Sequence, residues 1–308
     1  MAEITTIEES SKYNFGKFLL ALALIIFAYA IAIGAAFGIG YGLTILAWHP
    51  LWITLVADVG ATIVIFIFSV IFNNVSFYDP YWSVHPIVIA VYWMYLPQAL
   101  SANPIRQMII IGCVAFWGVR LTLNWVRGWK GLHHEDWRYV KYREENPKIF
   151  WLIAFIGLEM MPTLIVYLGC IALYPAMVLS SAPINWLDAI AMTITIGAVW
   201  YEFIADEQMK IFNKISGNSK KVMDVGLWAA CRHPNYFAEI SFWWGLLFFT
   251  LAAEPSWWWT IAGPIGMVIL FLSISIPLIE KKQLSKRPDY ADYKRRVSML
   301  IPWFPRNE

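Results

Sequence analysis

Charged residues are scarce in this sequence: Asp, Glu, Lys and Arg make up 14% of its 308 residues, whereas 59% are hydrophobic. A soluble domain is about one-quarter charged, so the composition excludes an ordinary soluble protein. Several apolar runs approach the roughly 20 residues that a spanning helix needs, which predicts an integral membrane protein. A net charge of +2 gives no indication of an acidic partner, and we expect no nucleic-acid binding.

Cysteine is also rare, and its placement argues against two kinds of site. Cys113, Cys170 and Cys231 are too few for a disulfide framework. The first two lie inside apolar runs, where packing explains them. No Cys or His pair has the spacing of a zinc site, because His133 and His134 are adjacent and cannot share one helix face. We therefore expect no bound metal.

The start of the chain lacks a basic targeting segment. Residues 1–11 contain Glu3, Glu8 and Glu9, whereas a secretory signal needs a basic start and a short apolar core. The segment also lacks the arginine-rich composition of a mitochondrial transit peptide. We predict that no signal peptide is cleaved here.

Long apolar runs separated by Pro, Gly, Asn and Ser predict an all-α fold, a polytopic membrane helix bundle. We predict eight spanning segments, with seven as the alternative, over residues 18–47, 51–72, 84–99, 105–126, 149–178, 185–205, 236–252 and 257–280. The third and the seventh are the shortest. We see no internal repeat or low-complexity tract, so we predict a single membrane domain over residues 1–308.

The positive charges are unevenly distributed between the predicted loops. Of the 23 Lys and Arg residues, six lie in 127–148, five in 210–232 and eight in 281–306, whereas the gaps that alternate with them carry one or none. With eight spans, the basic loops and both termini lie on one face, which the positive-inside rule assigns to the cytosol. The sequence thus predicts a multi-pass protein of the endoplasmic reticulum, the bacterial inner membrane or an organelle membrane.

The densest polar cluster of the chain begins the seventh apolar segment. Five polar side chains stand within eight residues: Arg232, His233, Asn235, Tyr236 and Glu239. Polar groups at the edge of a hydrocarbon-facing helix are costly unless they are satisfied or used. Arg232 can bind a phosphate through two parallel hydrogen bonds, and Asn235, oriented by Glu239, can recognise an amide or a ribose. A ligand site is favoured over an interfacial helix start with snorkelling side chains.

Two acidic residues close the sixth apolar segment. Glu202 and Asp206 lie one helical turn apart and share a face. A carboxylate inside a spanning helix seldom lacks a role. Asp206 has two interpretations of about equal weight, which are a ligand contact and an interfacial pair with Lys210.

A positive charge stands inside the fourth apolar segment. Arg120 and Asn124 are one turn apart, and the neighbours of Arg120 are apolar. A buried arginine requires an anion or a carboxylate partner. Glu159, in the next apolar run, is a candidate for that partner.

Titratable side chains also occur between the second and third segments and in the tail. The link 73–85 includes Asp79, Tyr81, Ser83 and His85, which could include an acid, although its Asn-Asn and Asp-Pro pairs are also simple turn formers. The tail 280–303 includes basic and tyrosine residues, among them Lys282, Arg287 and Tyr290. This tail is either a basic helix on anionic lipid or a cover for the phosphates of a nucleotide.

Three blocks of sequence resemble the steroid 5-alpha-reductase superfamily, in its uncharacterised bacterial and protist branch. They are Gly226-Leu-Trp with Arg232-His-Pro-Asn-Tyr-Phe-Ala-Glu239, then Arg287-Pro-Asp-Tyr-Ala-Asp-Tyr-Lys-Arg-Arg with Ile301-Pro-Trp, and Asp136-Trp-Arg-Tyr139 after Arg120. The resemblance covers residues 75–305 and leaves the first span uncovered. It implies a nucleotide-binding part over 200–305.

The resemblance implies an activity and a cofactor. Such proteins are membrane reductases that bind NADPH in a cytosol-facing cavity and reduce a carbon–carbon double bond conjugated to a carbonyl in a lipid. It makes Asn235 and Glu239 cofactor contacts, with Asp206 and Arg232 nearby, and closes the tail over the nucleotide around Lys282 and Tyr290. The remaining candidates for cofactor binding are Arg120, Asn124, Glu202, His233, Tyr236 and Arg287. The expected substrate is an apolar lipid that enters from the bilayer.

The catalytic half of the resemblance matches less well. The family's tyrosine one turn before the fourth-span arginine aligns with Trp117, whose indole can donate a hydrogen bond. The nearest candidate for the family's early glutamate is Asp79, and Tyr81 lies close to it in sequence. An acid or a tyrosine would polarise the substrate carbonyl during hydride delivery. The pattern therefore supports the cofactor site more strongly than the catalytic site.

Two alternatives remain open from the sequence. Isoprenylcysteine methyltransferases, which bind S-adenosylmethionine, share an Arg-His-Pro-x-Tyr block, but they usually end with a Glu-Glu pair where this chain has Glu280-Lys-Lys. A catalytically silent subunit of a larger membrane assembly, with membrane-protein partners, is the second alternative. Trp117 and the missing early glutamate favour that subunit, whereas Asn235 and Glu239 favour the reductase.

Overall fold

The computed structural model of the protein describes residues 2–215, 217 and 221–306, and of residues 2–14 it describes the backbone alone. The glutamates at positions 3, 8 and 9 therefore lie outside the described side chains. The described residues contain helices and no strand, so the predicted all-α class is confirmed. The helices are α1 (Ala2–Ile45), α2 (Pro50–Ile71), α3 (Tyr81–Met94), α4 (Pro104–Gly128), α5 (Trp137–Glu145), α6 (Phe150–Ile171), α7 (Trp186–Lys214), α8 (Leu227–Ala230), α9 (Pro234–Ala253), α10 (Pro255–Lys286) and α11 (Tyr290–Arg296).

Seven of the described helices are long and apolar enough to cross a membrane: α1 from Phe15 onward, α2, α4, α6, α7, α9 and α10. The predicted polytopic bundle is thus confirmed with seven candidate spans, the alternative count. The predicted third segment forms α3, which has only 14 residues. At 1.5 Å per residue α3 is about 21 Å long, shorter than the roughly 30 Å of bilayer hydrocarbon. An even number of crossings, with both termini in the cytosol, would require α3 to cross as well.

Local sequence explains where several helices begin. The side chain of Asn185 accepts a hydrogen bond from the amide of Leu187 at 2.9 Å, and Asp188 accepts one from the amide of Asn185 at 2.9 Å. This reciprocal pair is a capping box, which satisfies the open amides at the start of α7. Pro50 and Pro234 are the first residues of α2 and α9, where a missing amide proton costs no helical hydrogen bond.

The chain forms two compact units. Unit 1 comprises residues 1–89 and 121–167, and unit 2 comprises residues 90–120 and 168–308. Three helices, α3, α4 and α6, contribute residues to both. In unit 1, α1 and α2 pack through small side chains such as Ala28, Ala32 and Ala61, and the aromatic residues Phe77, Tyr81 and Trp129 complete this core. The single membrane domain predicted from the sequence stays a prediction.

In unit 2, α7 and α9 approach each other closely. A Cβ atom placed on Gly245 would lie 2.6 Å from Cγ2 of Thr195 and 3.1 Å from the Thr195 backbone nitrogen. Glycine is therefore required at this point of α9. The buried rings of Phe242, Trp243 and Phe249 fill the space around the crossing.

The helices of unit 2 have two chemically different ends. At one end Arg106 and Asp188 form a fully buried ion pair (Nε to Oδ1, 2.7 Å), and Asn185 Nδ2 donates to the carbonyl of Ala252 at 2.9 Å. Arg120 stands 14 residues later on α4, about 21 Å along the axis, beside Glu202. Helix α9 also begins at this second end. Its polar cluster lies there beside the basic tail, to which Arg232 is hydrogen-bonded.

Candidate functional site

A polar cavity of about 250 Å³ lies at the second end of unit 2, where α9 begins. Six of the residues predicted to bind a cofactor line it: Arg232, His233, Asn235, Tyr236, Arg287 and Tyr290. Asn213 and Gln283 also line the cavity and were not predicted. The lining combines amides, hydroxyls and cationic groups, which can donate hydrogen bonds to a phosphate-bearing ligand, with aromatic and apolar side chains such as Met209, Val222 and Ile279.

The guanidinium of Arg232 is already bound by the protein. Its Nε donates to Glu280 at 2.9 Å, and its Nη1 donates to the carbonyl oxygens of Lys294 (2.8 Å) and Val297 (2.6 Å). Glu280 also pairs with Nζ of Lys294 at 2.7 Å. Arg232 therefore holds the tail against α10, and the guanidinium edge predicted to take a phosphate is used inside the protein.

His233 shares the same carboxylate. Its Nε2 lies 3.2 Å from Oε1 of Glu280, and its ring stacks on Tyr236 with centroids 5.4 Å apart. Burial lowers the pKa of His233, and the hydrogen bond and charge of Glu280 only partly oppose that shift. We expect a neutral imidazole in the cavity wall at neutral pH.

A buried ionic cluster lies in the same unit, among α4 and α7. Arg120 Nη1 is 2.7 Å from Oε1 of Glu202, and its Nη2 hydrogen-bonds Asp206. The side chains of Arg120 and Glu202 are 8% and 7% exposed. The one-turn spacing of the two acids, visible in the sequence, lets both reach a single arginine.

Glu159 is not the partner of Arg120, so that prediction was wrong. Glu159 is fully buried in unit 1, inside a π-helical stretch of α6. Neither of its carboxylate oxygens has a hydrogen-bond partner among the described side chains. The sequence shows that Arg120 and Glu159 are opposite charges in apolar segments, but it does not show which helices pack side by side. In the structure the acids next to Arg120 are those of α7.

The carboxylate of Glu239 is held by two indoles. Trp117 Nε1 donates to Oε2 and Trp243 Nε1 donates to Oε1, each at 2.8 Å. The ring of Trp117 stacks on Phe242 with centroids 4.8 Å apart. Glu239 is 2% exposed, so it fixes the packing of α4 against α9 rather than opening onto the cavity lining. Trp117, predicted to be catalytic, uses its N–H in this contact.

Two further predicted cofactor residues lie elsewhere. Lys282 is on α10, where it is half-buried and outside the cavity lining. Asn124 is on the part of α4 that belongs to unit 1. Across the described parts of the chain, no three His, Cys, Asp or Glu side chains gather as a metal site.

Unit 1 contains a second polar cluster, inside its apolar core. The hydroxyl of Tyr81 donates to Oδ1 of Asp58 at 3.2 Å. His85 Nδ1 lies 3.3 Å from Oδ2 of the same carboxylate, and the His85 ring stacks on Tyr81 with centroids 5.1 Å apart. All three side chains are at most 5% exposed. Tyr81 was predicted to be catalytic, whereas Asp58 was missed, although a carboxylate in the middle of the apolar helix α2 was a visible signal.

Asp79 is separate from that cluster and forms part of the turn before α3. Its Oδ1 accepts a hydrogen bond from the hydroxyl of Tyr139 at 2.6 Å. Burial raises the pKa of Asp79 to about 6, against the opposing effects of the Arg138 charge and the Tyr139 hydrogen bond. Asp79 and Tyr139 thus join the turn to α5 within unit 1.

The raised pKa of Asp79 predicts a pH dependence of stability. The folded state binds this proton more tightly than the unfolded chain, whose carboxyl titrates near 3.8. The contribution of protonated Asp79 is therefore complete below pH 3.8 and is lost as the pH rises through about 6. We expect Asp79→Asn to remove this decline, measured as thermal unfolding in detergent micelles between these pH values. An unchanged slope in the variant would show that other groups cause the decline.

Comparison with known proteins gives a family but no activity. A family model described as "Protein of unknown function (DUF1295)" matches residues 65–297. An uncharacterised protein of Schizosaccharomyces pombe is 28% identical over 258 residues, which cover 76% of this chain and 74% of that protein. No solved structure matches the chain with significance.

Proposed function

The chain belongs to this DUF1295 family, and from that premise we propose that it is a membrane-embedded, NADPH-dependent reductase. Its substrate would be a carbon–carbon double bond conjugated to a carbonyl in an apolar lipid. The family is associated with steroid 5-alpha-reductase-like proteins, which supports the reaction class. The observation that carries the proposal is the cavity of unit 2, whose lining suits a nucleotide.

The chemistry of the cavity fits part of a dinucleotide. Asn213, Asn235 and Gln283 offer amides that can bind a nicotinamide carboxamide or a ribose. Arg287 donates from Nη1 to Oε1 of Gln283 at 2.7 Å, so its remaining N–H groups are the ones that can take a phosphate. The ring of Tyr236 provides a stacking surface. The volume of about 250 Å³ is below the roughly 300–1,000 Å³ of a complete small-molecule site, so the described lining accounts for one portion of the cofactor.

The basic tail contributes to nucleotide binding through its charge. Lysines and arginines of residues 281–306 number eight, and a cavity beside such a tail attracts anions. Arg232 and Glu280 hold the tail in place, so they act as positioning residues. When bound, NADPH would supply the hydride that adds to the β-carbon of the substrate, and a proton from water would complete the reduction at the α-carbon.

Tyr81 and Trp117, the two donors predicted to polarise the substrate carbonyl, are both bound to carboxylates of the protein. The hydroxyl of Tyr81 donates to Asp58, and the indole N–H of Trp117 donates to Glu239. Each of these side chains has a single donor proton, so neither is assigned to the carbonyl and the proposal rests on the cofactor cavity.

The cofactor part of the proposal predicts a loss of NADPH binding on Asn235→Ala. The variant removes an amide from the cavity lining. The loss of one hydrogen bond costs about 0.5–1.5 kcal/mol for a neutral ligand group and about 1.5–3 kcal/mol for a charged one, a decrease in affinity of roughly 2-fold to 150-fold. Titration of the detergent-solubilised protein, followed by NADPH fluorescence, measures it.

The matched control is Asn146→Ala. Asn146 lies at the end of α5 and is half-buried, as Asn235 is. This variant should titrate like the unchanged protein. Saturable binding of S-adenosylmethionine without any response to NADPH would contradict the proposal and favour the methyltransferase. NADPH binding without turnover on any enone lipid would favour the silent subunit.

A further inference from the structure

A second groove, of about 410 Å³, lies in the tail of unit 2 and is lined by cationic side chains. Its main lining residues are Lys294, Arg295, Arg296, Trp303, Phe304 and Arg306. None of the described lining residues is acidic. The groove and the polar cavity both include Arg232 in their walls, but the other lining residues of the groove named here take no part in the cavity.

Two of these charges are not neutralised by the protein. Lys294 pairs with Glu280 at 2.7 Å, and Arg295 pairs with Asp292. Arg296 and Arg306 form no ion pair with any side chain that the structure describes. The amide of Arg306 donates to the carbonyl of Arg296 at 2.9 Å, which holds the two residues side by side. Both side chains line the groove, and two like charges in one groove repel each other unless an anion lies between them.

Apolar side chains accompany these charges. Ile301, Trp303 and Phe304 are 65%, 69% and 84% exposed. The amide of Trp303 donates to the carbonyl of Ala230 at 2.9 Å, so this part of the tail is fixed to the start of the α8–α9 connection. Exposed aromatic residues beside cations, shortly after a membrane helix, are typical of the membrane–water interface.

We propose that the groove binds the phosphate of an anionic phospholipid. Arg296 and Arg306 bind the headgroup phosphate, for which the planar guanidinium is well suited. Trp303 and Phe304 pack against the glycerol and upper acyl region of the same lipid. A soluble phosphate would satisfy the arginines but would leave these aromatic side chains in water, so the lipid explains both features.

The experiment uses the full chain in neutral detergent, with phosphatidylglycerol or phosphatidylcholine added as the probe and bound lipid counted by native mass spectrometry. We expect selective retention of phosphatidylglycerol. In the Arg296→Gln/Arg306→Gln variant the affinity should fall about 30-fold, because each basic residue near an anionic surface contributes about 1 kcal/mol. Arg296→Lys/Arg306→Lys keeps both charges and should retain most of the binding.

The matched control is Lys130→Gln/Lys148→Gln, which removes two exposed charges from unit 1 and should bind phosphatidylglycerol normally. Equal retention of the two lipids, or full retention by the Arg296→Gln/Arg306→Gln variant, would overturn the proposal. Displacement of the lipid by inorganic phosphate at equal concentration would assign the groove to a soluble anion. Displacement by NADPH at equal concentration would instead make the groove part of the nucleotide site.

Discussion

Replacing Tyr81 by phenylalanine should destabilise the protein by about 1.5–3 kcal/mol, because the buried carboxylate of Asp58 then loses its hydroxyl donor. The affinity for NADPH should not change, because Tyr81 belongs to unit 1 and takes no part in the polar cavity. The measurement is denaturant unfolding in mixed micelles, together with NADPH fluorescence titration of the same samples.

Tyr167→Phe is the matched control for that result. Tyr167 is also a buried tyrosine of unit 1, and its hydroxyl donates to the carbonyl of Leu51 at 2.6 Å. Its loss should cost less, about 0.5–1.5 kcal/mol, because the acceptor is a neutral carbonyl. Equal losses for the two variants would mean that Asp58 carries no charge in the folded protein.

Replacing Arg120 by leucine should destabilise the protein by about 3–5 kcal/mol, the cost of leaving buried charges without their partner. The variant removes the cation that Glu202 and Asp206 share. The side chains of Glu202 and Asp206 are 7% and 17% exposed, so both acids stay largely out of water after the change. The free energy of unfolding would be measured by denaturant unfolding in mixed micelles, followed by tryptophan fluorescence.

A compensated variant separates charge from packing at this position. Arg120→Leu combined with Glu202→Leu and Asp206→Asn removes both orphaned charges and should recover most of the lost stability. Lys210→Leu, a change of the same charge on the half-exposed surface of α7, should cost less than about 1 kcal/mol. Equal losses for Arg120→Leu and Lys210→Leu would mean that the cluster is solvated rather than buried.

Most of the helices could be predicted from the sequence because each spanning helix satisfies its own backbone hydrogen bonds and needs only an apolar run of sufficient length. The prediction of spanning segments was least accurate for the third segment. Residues 84–99 are apolar, but α3 ends at Met94, and a 3-10 turn follows at Pro97–Ser101. Hydropathy measures the composition of a run and does not register a break in the helix that Pro97 introduces.

The site was only partly predictable for a different reason. The local density of polar residues identified the start of α9, and four of its predicted residues line one cavity together with Arg287 and Tyr290 of the tail. Partners were not predictable, because a hydrogen bond between distant positions depends on which helix faces meet. Glu239 binds Trp117, 122 positions earlier in the chain, rather than orienting Asn235.

The sequence by itself determined that this protein is a helical membrane protein and that its polar chemistry gathers at the start of α9 and in the tail. Both are consequences of local composition, since charge and hydropathy act at the residues that carry them. Tertiary structure alone decided that Arg120 joins two acids of α7, that Arg232 is used to anchor the tail, and that Asp58 meets Tyr81. Those outcomes depend on how helices pack, and buried charges take whichever partners that packing brings within reach.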